Sequence, residues 1–383
     1  MKRHTRTSRS NWQRSADELG FTYYATEQNP DYGTVWNESV AYEFTSTEID
    51  VLEAATEELH QRCLETVDHV INDADLLHKL GIHSSWHNYL QSSWYDQHPS
   101  IYGRFDLAYN GIDPPKMLEY NADTPTMLLE TSLMQWKWLQ DEKPTCDQFN
   151  SVHEKLLSVF ETIKDKMPKN TAMHFAGLEH LGEEFQTCMY LLDLASQAGI
   201  ESKFIDINQI GYDNRLDKFV DQNCHPINFC FKLYPWEWMM NEDFGQHVLK
   251  NKTGWIEPAW KSILSNKGFM PIMSQLFPNH PNILHSTFTA DEQPSGNYVA
   301  KPFLSREGQN ILWYENNVLA KQMPGVYTGA VMYQETAKLF CQDGNFAVIG
   351  SWVIGNQSAG IIVRDHNDSI IHDRSSVVPH WFE

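Results

Sequence analysis

Residues 104–121 read RFDLAYNGIDPPKMLEYN, and this stretch decides where a sheet must begin. RFDLAY and KMLEYN alternate apolar and polar positions, whereas NGIDPP between them is built from turn formers. The pattern predicts a β-hairpin. Positions i and i+2 of a strand share a face, so Arg104 and Asp106 point the same way, as do Glu119 and Asn121. If the two strands pair, one face collects an arginine, two carboxylates and an amide oxygen. Oxygen donors of this kind suit Mg²⁺, which takes a few carboxylates together with phosphate oxygens and water. The arginine would neutralise a phosphoryl group during its transfer. From spacing alone, a hairpin with one solvated polar face is the commoner outcome.

Outward from the hairpin the chain alternates helices and strands. Upstream, Ile49, Leu52, Ala55, Leu59, Cys63, Val67 and Val70 fall at helical spacing behind a capping pattern at Ser46–Glu48. One long amphipathic helix over Ser46–Leu77 is expected, its charged face solvated. Downstream, a helix is expected from Thr126 to Gln140. Ala172–Phe175, Glu183–Ala198 (ended by Gly199) and Lys203–Ile207 read as strand, helix and strand. That order implies a small α/β lobe with a parallel pair. In the last third, Tyr298–Lys301, Val331–Gln334, Ala347–Val353 and Gly360–Val363 are strand candidates between glycine-rich turns. They suggest a sheet-rich region with mobile connections. No internal repeat or long low-complexity linker is present, and the expected class is mixed α+β.

A second polar constellation lies in that last third. Tyr298-Val-Ala-Lys301-Pro302 runs into Ser305-Arg306-Glu307-Gly308-Gln309-Asn310. A strand that delivers a lysine to a small loop around a glycine can cover nucleotide phosphates, because glycine lets backbone N–H groups approach. An ordinary surface loop has the same composition. Neither GxxxxGK[ST] nor GxGxxG occurs, so the two commonest nucleotide folds have no support. Five further positions are weak signals when taken alone. Lys267 reads as a solvated lysine at a boundary, and Lys232 as a charge snorkelling beside aromatic packing. Gln334 and Glu335 read as an exposed strand end or an adenine hinge, and Arg364 as a surface arginine or an anion contact. The seventeen histidines show no metal-ligand spacing, His280 reads as structural, and no GxSxG elbow announces a nucleophile.

Composition narrows the function classes. The 383 residues are enough for a substantial core and two to three lobes. Thirteen Trp, sixteen Tyr and nineteen Phe argue against disorder. A net charge of −21 disfavours nucleic acid and is compatible with a cationic substrate such as a polyamine. Cys63, Cys146, Cys188, Cys224, Cys230 and Cys341 are scattered without a CxxC pair, which favours reduced thiols over a disulfide framework or structural zinc. The basic start, Met1 to Ser10, is not followed by an apolar run, and no segment approaches the ~20 apolar residues of a membrane span. A cytoplasmic location without a membrane partner is expected; the oligomeric state stays open.

Taken in order, the motifs resemble the glutathionylspermidine synthase-type ATP-grasp family, in its stand-alone bacterial synthetase-like form. SIYGRFDLAYNG, EYNADTPT, QWKWLQD, FKLYPWEW, EPAWKSILSNK, LFPNHPNIL, YVAKPFLSREGQNI, IGSWVIGNQSAGIIVRD and SSVVPHWF carry the likeness from Asn11 to Phe382. The resemblance implies an ATP-grasp fold with a small α/β lobe and a mobile lid. Approximate lobes are expected at 11–165 with the metal-site hairpin, 166–230, and 231–383 with the ATP site and lid. It implies metal ligands at Asp106, Glu119 and Asn121, for Mg²⁺ as two ions, and a transition-state and ATP-binding arginine at Arg104. ATP as co-substrate would meet Lys267, Lys301, the loop with Ser305, Gly308 and Gln309, and a hinge at Gln334 and Glu335. Thr124 and Thr126 would face the substrate, and Arg364 the substrate or a phosphate. The implied reaction joins a peptide or glutathione-like carboxylate to an amine such as a polyamine through an acyl phosphate.

Two departures qualify the likeness. No Cys-His amidase segment precedes the synthetase motifs, so amidase activity is not expected. Asp123-Thr124-Pro125-Thr126 stands where characterised members carry serine and cysteine, which leaves a peptide or another γ-glutamyl compound equal to glutathione as substrate. A non-catalytic nucleotide- or peptide-binding protein on the same fold, and a carboxylate kinase that does not ligate, are the competing expectations.

Overall fold

A computed structural model describes residues 1–24, 35–250, 252–293, 295–370 and 375–383. The hairpin forms as expected, from Tyr102–Ala108 and Lys116–Asn121. Its register sets Arg104 opposite Asn121 and Asp106 opposite Glu119, with a bulge between Asp106 and Leu107. The hairpin is the edge of a larger antiparallel sheet that continues through Asn345–Ile354, Gln357–His366 and Ser376–Val378, with Phe340–Gln342 also pairing the first of these.

Period-2 alternation buries this sheet on both faces. Phe105, Leu107, Ala347, Ile349, Ile361 and Val363 join a core shared with Leu52, Leu59, Cys63 and Val67 of the helix Ser46–Ile71. Trp352, Ile354 and Ile362 join a second core with Leu156 and Phe160 of the helix Val152–Lys166. Each fully buried Leu, Ile or Phe contributes roughly 1.5–3 kcal/mol. Anchoring Phe105 and Leu107 therefore fixes which way Arg104 and Asp106 must point.

A parallel sheet lies beside it in the order Gly254–Ile256, Phe229–Lys232, Met173–Gly177 and Ser202–Asp206, covered by the helix Gly182–Gln197. A five-stranded antiparallel sheet runs Ser286–Thr287, Val331–Glu335, Tyr298–Pro302, Leu312–Glu315 and Val318–Gln322. Lys2–Thr5, Val40–Phe44 and His380–Phe382 form a small sheet that draws the two ends of the chain together. These last strands are too short for their alternation to be read from sequence.

Two helices differ from expectation. The long helix is capped by Thr45, whose side chain accepts from Glu48 N while Glu48 accepts from Thr45 N. It stops at Ile71 because Asp73 caps a new helix, Ala74–Lys79, by accepting from the Asp75 and Leu76 amides. The helix expected from Thr126 begins two residues later, makes a π turn over Glu130–Met134 and continues as Gln135–Glu142. Thr131 and Ser132 hydroxyls donate to the Met127 and Leu128 carbonyls there, competing with the regular ladder.

Candidate active site

A cavity of about 500 Å³ opens where the three large sheets meet. Arg104, Asp106, Glu119, Asn121, Thr124, Thr126, Lys301, Gly308, Gln334, Glu335 and Arg364 all line it. Lys267, Ser305 and Gln309 do not, although Lys267 reaches it through its partners.

The hairpin face carries the charges. Arg104 lies flat across the sheet, donating from Nε to Asp106 Oδ1 at 3.2 Å and from a terminal nitrogen to the Thr126 carbonyl at 2.6 Å. Gly350, directly opposite Asp106 in register, makes room for it: an added Cβ would sit 3.0 Å from Arg104 Cδ and 2.8 Å from Ile362 Cγ2. Arg364 approaches the other Asp106 oxygen at 3.7 Å. Burial pushes the Asp106 carboxyl up against the pull of Arg104.

Lysines complete the cluster. Lys267 pairs with Glu119 at 3.0 Å and donates to the Ser305 carbonyl at 2.5 Å, tying the hairpin to the glycine loop. Lys301 donates to Gln334 Oε1 at 2.7 Å and the Leu118 carbonyl at 2.9 Å. Burial would raise Glu119, but Lys267 and Lys301 outweigh it and hold the carboxyl at about 2. Burial also lowers Lys301 to about 8, against the opposing pull of Glu119. Four cations thus surround two carboxylates, an excess that suits a polyphosphate.

The fit to a metal rests on donor chemistry. Among the described residues no three His, Cys, Asp or Glu side chains converge into a self-sufficient metal set. Asp106, Glu119 and Asn121 instead offer two carboxylates and an amide on one face, and the Asn121 side-chain nitrogen is buried without a hydrogen-bond partner. Such a partial oxygen set fits Mg²⁺, which retains waters and takes phosphate oxygens.

Around this centre the other walls are laid out. Leu118, Val299, Ile311, Trp313 and Leu339 form an apolar slot beside Gln334 and Glu335. Gln334 is 1 % exposed and so is no exposed strand end; its amide is committed to Lys301 and to the Met117 carbonyl. The loop over Ser305–Asn310 takes left-handed backbone at Glu307, Gly308 and Asn310. Its Arg306 pairs with Glu237 and lies 5.2 Å from the Trp238 ring centroid.

Several residues escaped sequence reasoning. Glu183 and Glu184, at the start of the helix Gly182–Gln197, line the cavity, and burial raises Glu184 to about 7. Their place beyond the carboxyl end of the strand Met173–Gly177 is where open parallel sheets receive ligands. Leu233, Tyr234, Pro235 and Trp238 form the adjoining wall. Lys232 just before them does not snorkel: it is fully buried and ion-paired with Asp123 at 2.8 Å. Lys267, read by spacing as solvated, is likewise buried, because its loop packs under Phe303 and Glu119. His280 does serve the structure, bonding Glu58.

Residues 3–383 match the family described as glutathionylspermidine synthase preATP-grasp. The chain belongs to that family. It is therefore a mixed α/β ATP-grasp protein and an ATP-dependent acid–amine ligase by class. It is 37% identical over 382 residues to a Haemophilus influenzae protein provisionally named an acid–amine ligase, each chain being covered to 95%. It is 28% identical to trypanothione synthetase of Crithidia fasciculata over 82% of this chain and 52% of that one. It is 25% identical to the bifunctional glutathionylspermidine synthetase/amidase of Escherichia coli over 91% and 60% respectively. This family member thus spans about half to three fifths of the length of those two relatives. A glutathione synthetase-like effector from Globodera pallida shares the fold at TM-score 0.57 and 11% identity, with 89% of both chains covered. No helix among the described residues is long and apolar enough to cross a membrane.

Proposed function

We propose that the cavity joins the carboxylate of a peptide or glutathione-like substrate to an amine such as a polyamine, with ATP consumed through an acyl phosphate. The observation that carries this reading is the register of the hairpin, Arg104 against Asn121 and Asp106 against Glu119, with Lys267 bonded to Glu119. It assembles phosphate-binding cations and hard oxygen donors on one wall.

In this reading adenine enters the slot between Leu118, Val299 and Leu339, against Gln334 and Glu335, and Lys267 and Lys301 hold the phosphates. Asp106, Glu119 and Asn121 would hold Mg²⁺, which when bound supplies charge neutralisation on the phosphate oxygens. The substrate carboxylate, placed by Thr124, Thr126 and Arg364, attacks the γ-phosphorus; the bond to the ADP oxygen breaks. Arg104 stabilises the charge spread over the transferring phosphoryl group. The Ser305–Asn310 loop closes the cavity to water, which would otherwise hydrolyse the acyl phosphate. An amine then attacks the acyl carbon, phosphate leaves, and the amine gives up a proton. Glu183 and Glu184 supply negative charge where that cationic partner arrives.

The test is ADP release in Mg²⁺ and ATP against a panel crossing peptides, glutathione included, with amines such as spermidine, with product masses read in parallel. Release requiring both partners, and a product lighter than their sum by one water, is the expected result. ADP release that ignores the amine, or no turnover with any pair despite ATP binding, would overturn the reading.

A further inference from the structure

Two walls of the cavity are tied together by a buried ion pair that the proposed chemistry does not use. Asp123 is 3 % exposed; its Oδ1 accepts from Lys232 Nζ at 2.8 Å and its Oδ2 from the Trp236 amide at 2.8 Å. Lys232 Nζ also donates to the Tyr234 carbonyl at 2.8 Å and lies 4.6 Å from the Trp236 ring centroid. On one side, Asp123 opens the loop Thr124, Pro125, Thr126 and Met127, all of which line the cavity. On the other, Lys232 ends a parallel strand and is followed by Leu233, Tyr234 and Pro235 of the facing wall. The loop is held in a costly conformation: Met127, not a glycine, has φ +77°. Its far end is gripped through the Thr126 carbonyl by Arg104.

Apolar side chains of equal volume would stabilise such a site as well as a buried pair does. What the charges add is direction, since both carboxylate oxygens and the ammonium are committed to named partners on opposite walls. We propose that Asp123 and Lys232 are a positioning pair that fixes Thr124–Met127 against Leu233–Trp238 and so sets the KM for the carboxylate substrate. The inference rests on the ligase reading of this cavity. The pair's hydrogen bonds go to Tyr234 and Trp236, not to the apolar slot, Lys267 or Lys301, so ATP affinity is the control.

The test compares Asp123→Asn with the double variant Asp123→Asn/Lys232→Met. In the single variant the KM for the carboxylate rises between about tenfold and a hundredfold, the scale of a small misplacement of a bound group, while the KM for ATP stays within about twofold. The double variant removes the stranded lysine charge, so its urea midpoint returns toward the parent value while the raised KM persists. Recovery of KM together with stability would make the pair merely structural, and a matching rise in the KM for ATP would deny it any selectivity; either result overturns the proposal. Hydrogen exchange decides the matter even if the parent protein turns over no pair in the panel. Residues 124–128 and 233–238 should lose protection together in the single variant, with the ATP Kd unchanged. Loss in neither segment, or in one alone, would refute the coupling.

Discussion

The charged hairpin and the tie to the wall facing it are built in opposite ways. The hairpin draws its functional side chains from one run of eighteen residues, 104–121, through the strand period and a turn. The tie across to the facing wall is drawn from distant positions, Asp123 on one side and Lys232 and Trp236 on the other, with Asp123 and Lys232 separated by 109 positions. A local device keeps its geometry through backbone pairing, and a dispersed one keeps it through buried side-chain bonds. The first should therefore lose chemistry when mutated, and the second should lose affinity for the carboxylate substrate.

The largest effect is expected at the hairpin. Arg104→Ala should lower kcat about a thousandfold, the range seen when a group that stabilises transition-state charge is removed. The ATP Kd, measured by calorimetry on the same sample, should change less than about fivefold. Equal losses in both would place Arg104 in ground-state binding and blur the contrast between the two regions.

A smaller loss, about tenfold in kcat, is expected for Gly350→Ala, whose new Cβ would meet Arg104 Cδ at 3.0 Å. Wild-type kinetics with normal folding would show that Arg104 does not need its flat course across the sheet.

The pH dependence sharpens the same region. Lys301 is lowered by burial to about 8 in the folded protein, below its unfolded value of about 10.4. The folded state therefore binds fewer protons between those values, and this group's contribution to stability rises with pH across that window. If Lys301 holds the phosphates as proposed, ATP affinity behaves oppositely, because they require the protonated lysine. The ATP Kd should weaken as pH rises through about 8, and ATP binding near that pH should take up protons, read by calorimetry in buffers of different ionisation enthalpy. Lys301→Met should remove both effects.

The smallest effect is expected outside both regions. Thr45→Ala removes the side-chain half of a capping box and should cost about 1 kcal/mol, read as a lower urea midpoint. Turnover should be unchanged.

The same contrast explains what was legible in the sequence. The hairpin, the strand–helix–strand at Met173–Asp206 and the last strands all follow from short-range pattern. That Lys267 and Lys301 share a site with Glu119 was implied only by resemblance, because no spacing rule links positions so far apart, and their convergence on the Glu119 carboxylate is visible only in the structure. Lys232 was misread for the same reason: its aromatic neighbours were visible, whereas its buried partner was not. Glu183 and Glu184 looked like ordinary first-turn acids, and only the strand order turns them toward the cavity. The break at Asn72–Asp73 is masked by apolar spacing that continues through it, although the Asp73 cap is a sequence signal.

The central claim, an acyl phosphate made at the hairpin, is tested most directly by isotope transfer. The carboxylate substrate is labelled with ¹⁸O in both oxygens, ligation is run with ATP, and the released phosphate is examined by mass. One ¹⁸O in the phosphate per amide formed is the expected result, since the attacking carboxylate oxygen leaves with phosphorus. Unlabelled phosphate from a reaction that still forms the amide would contradict it.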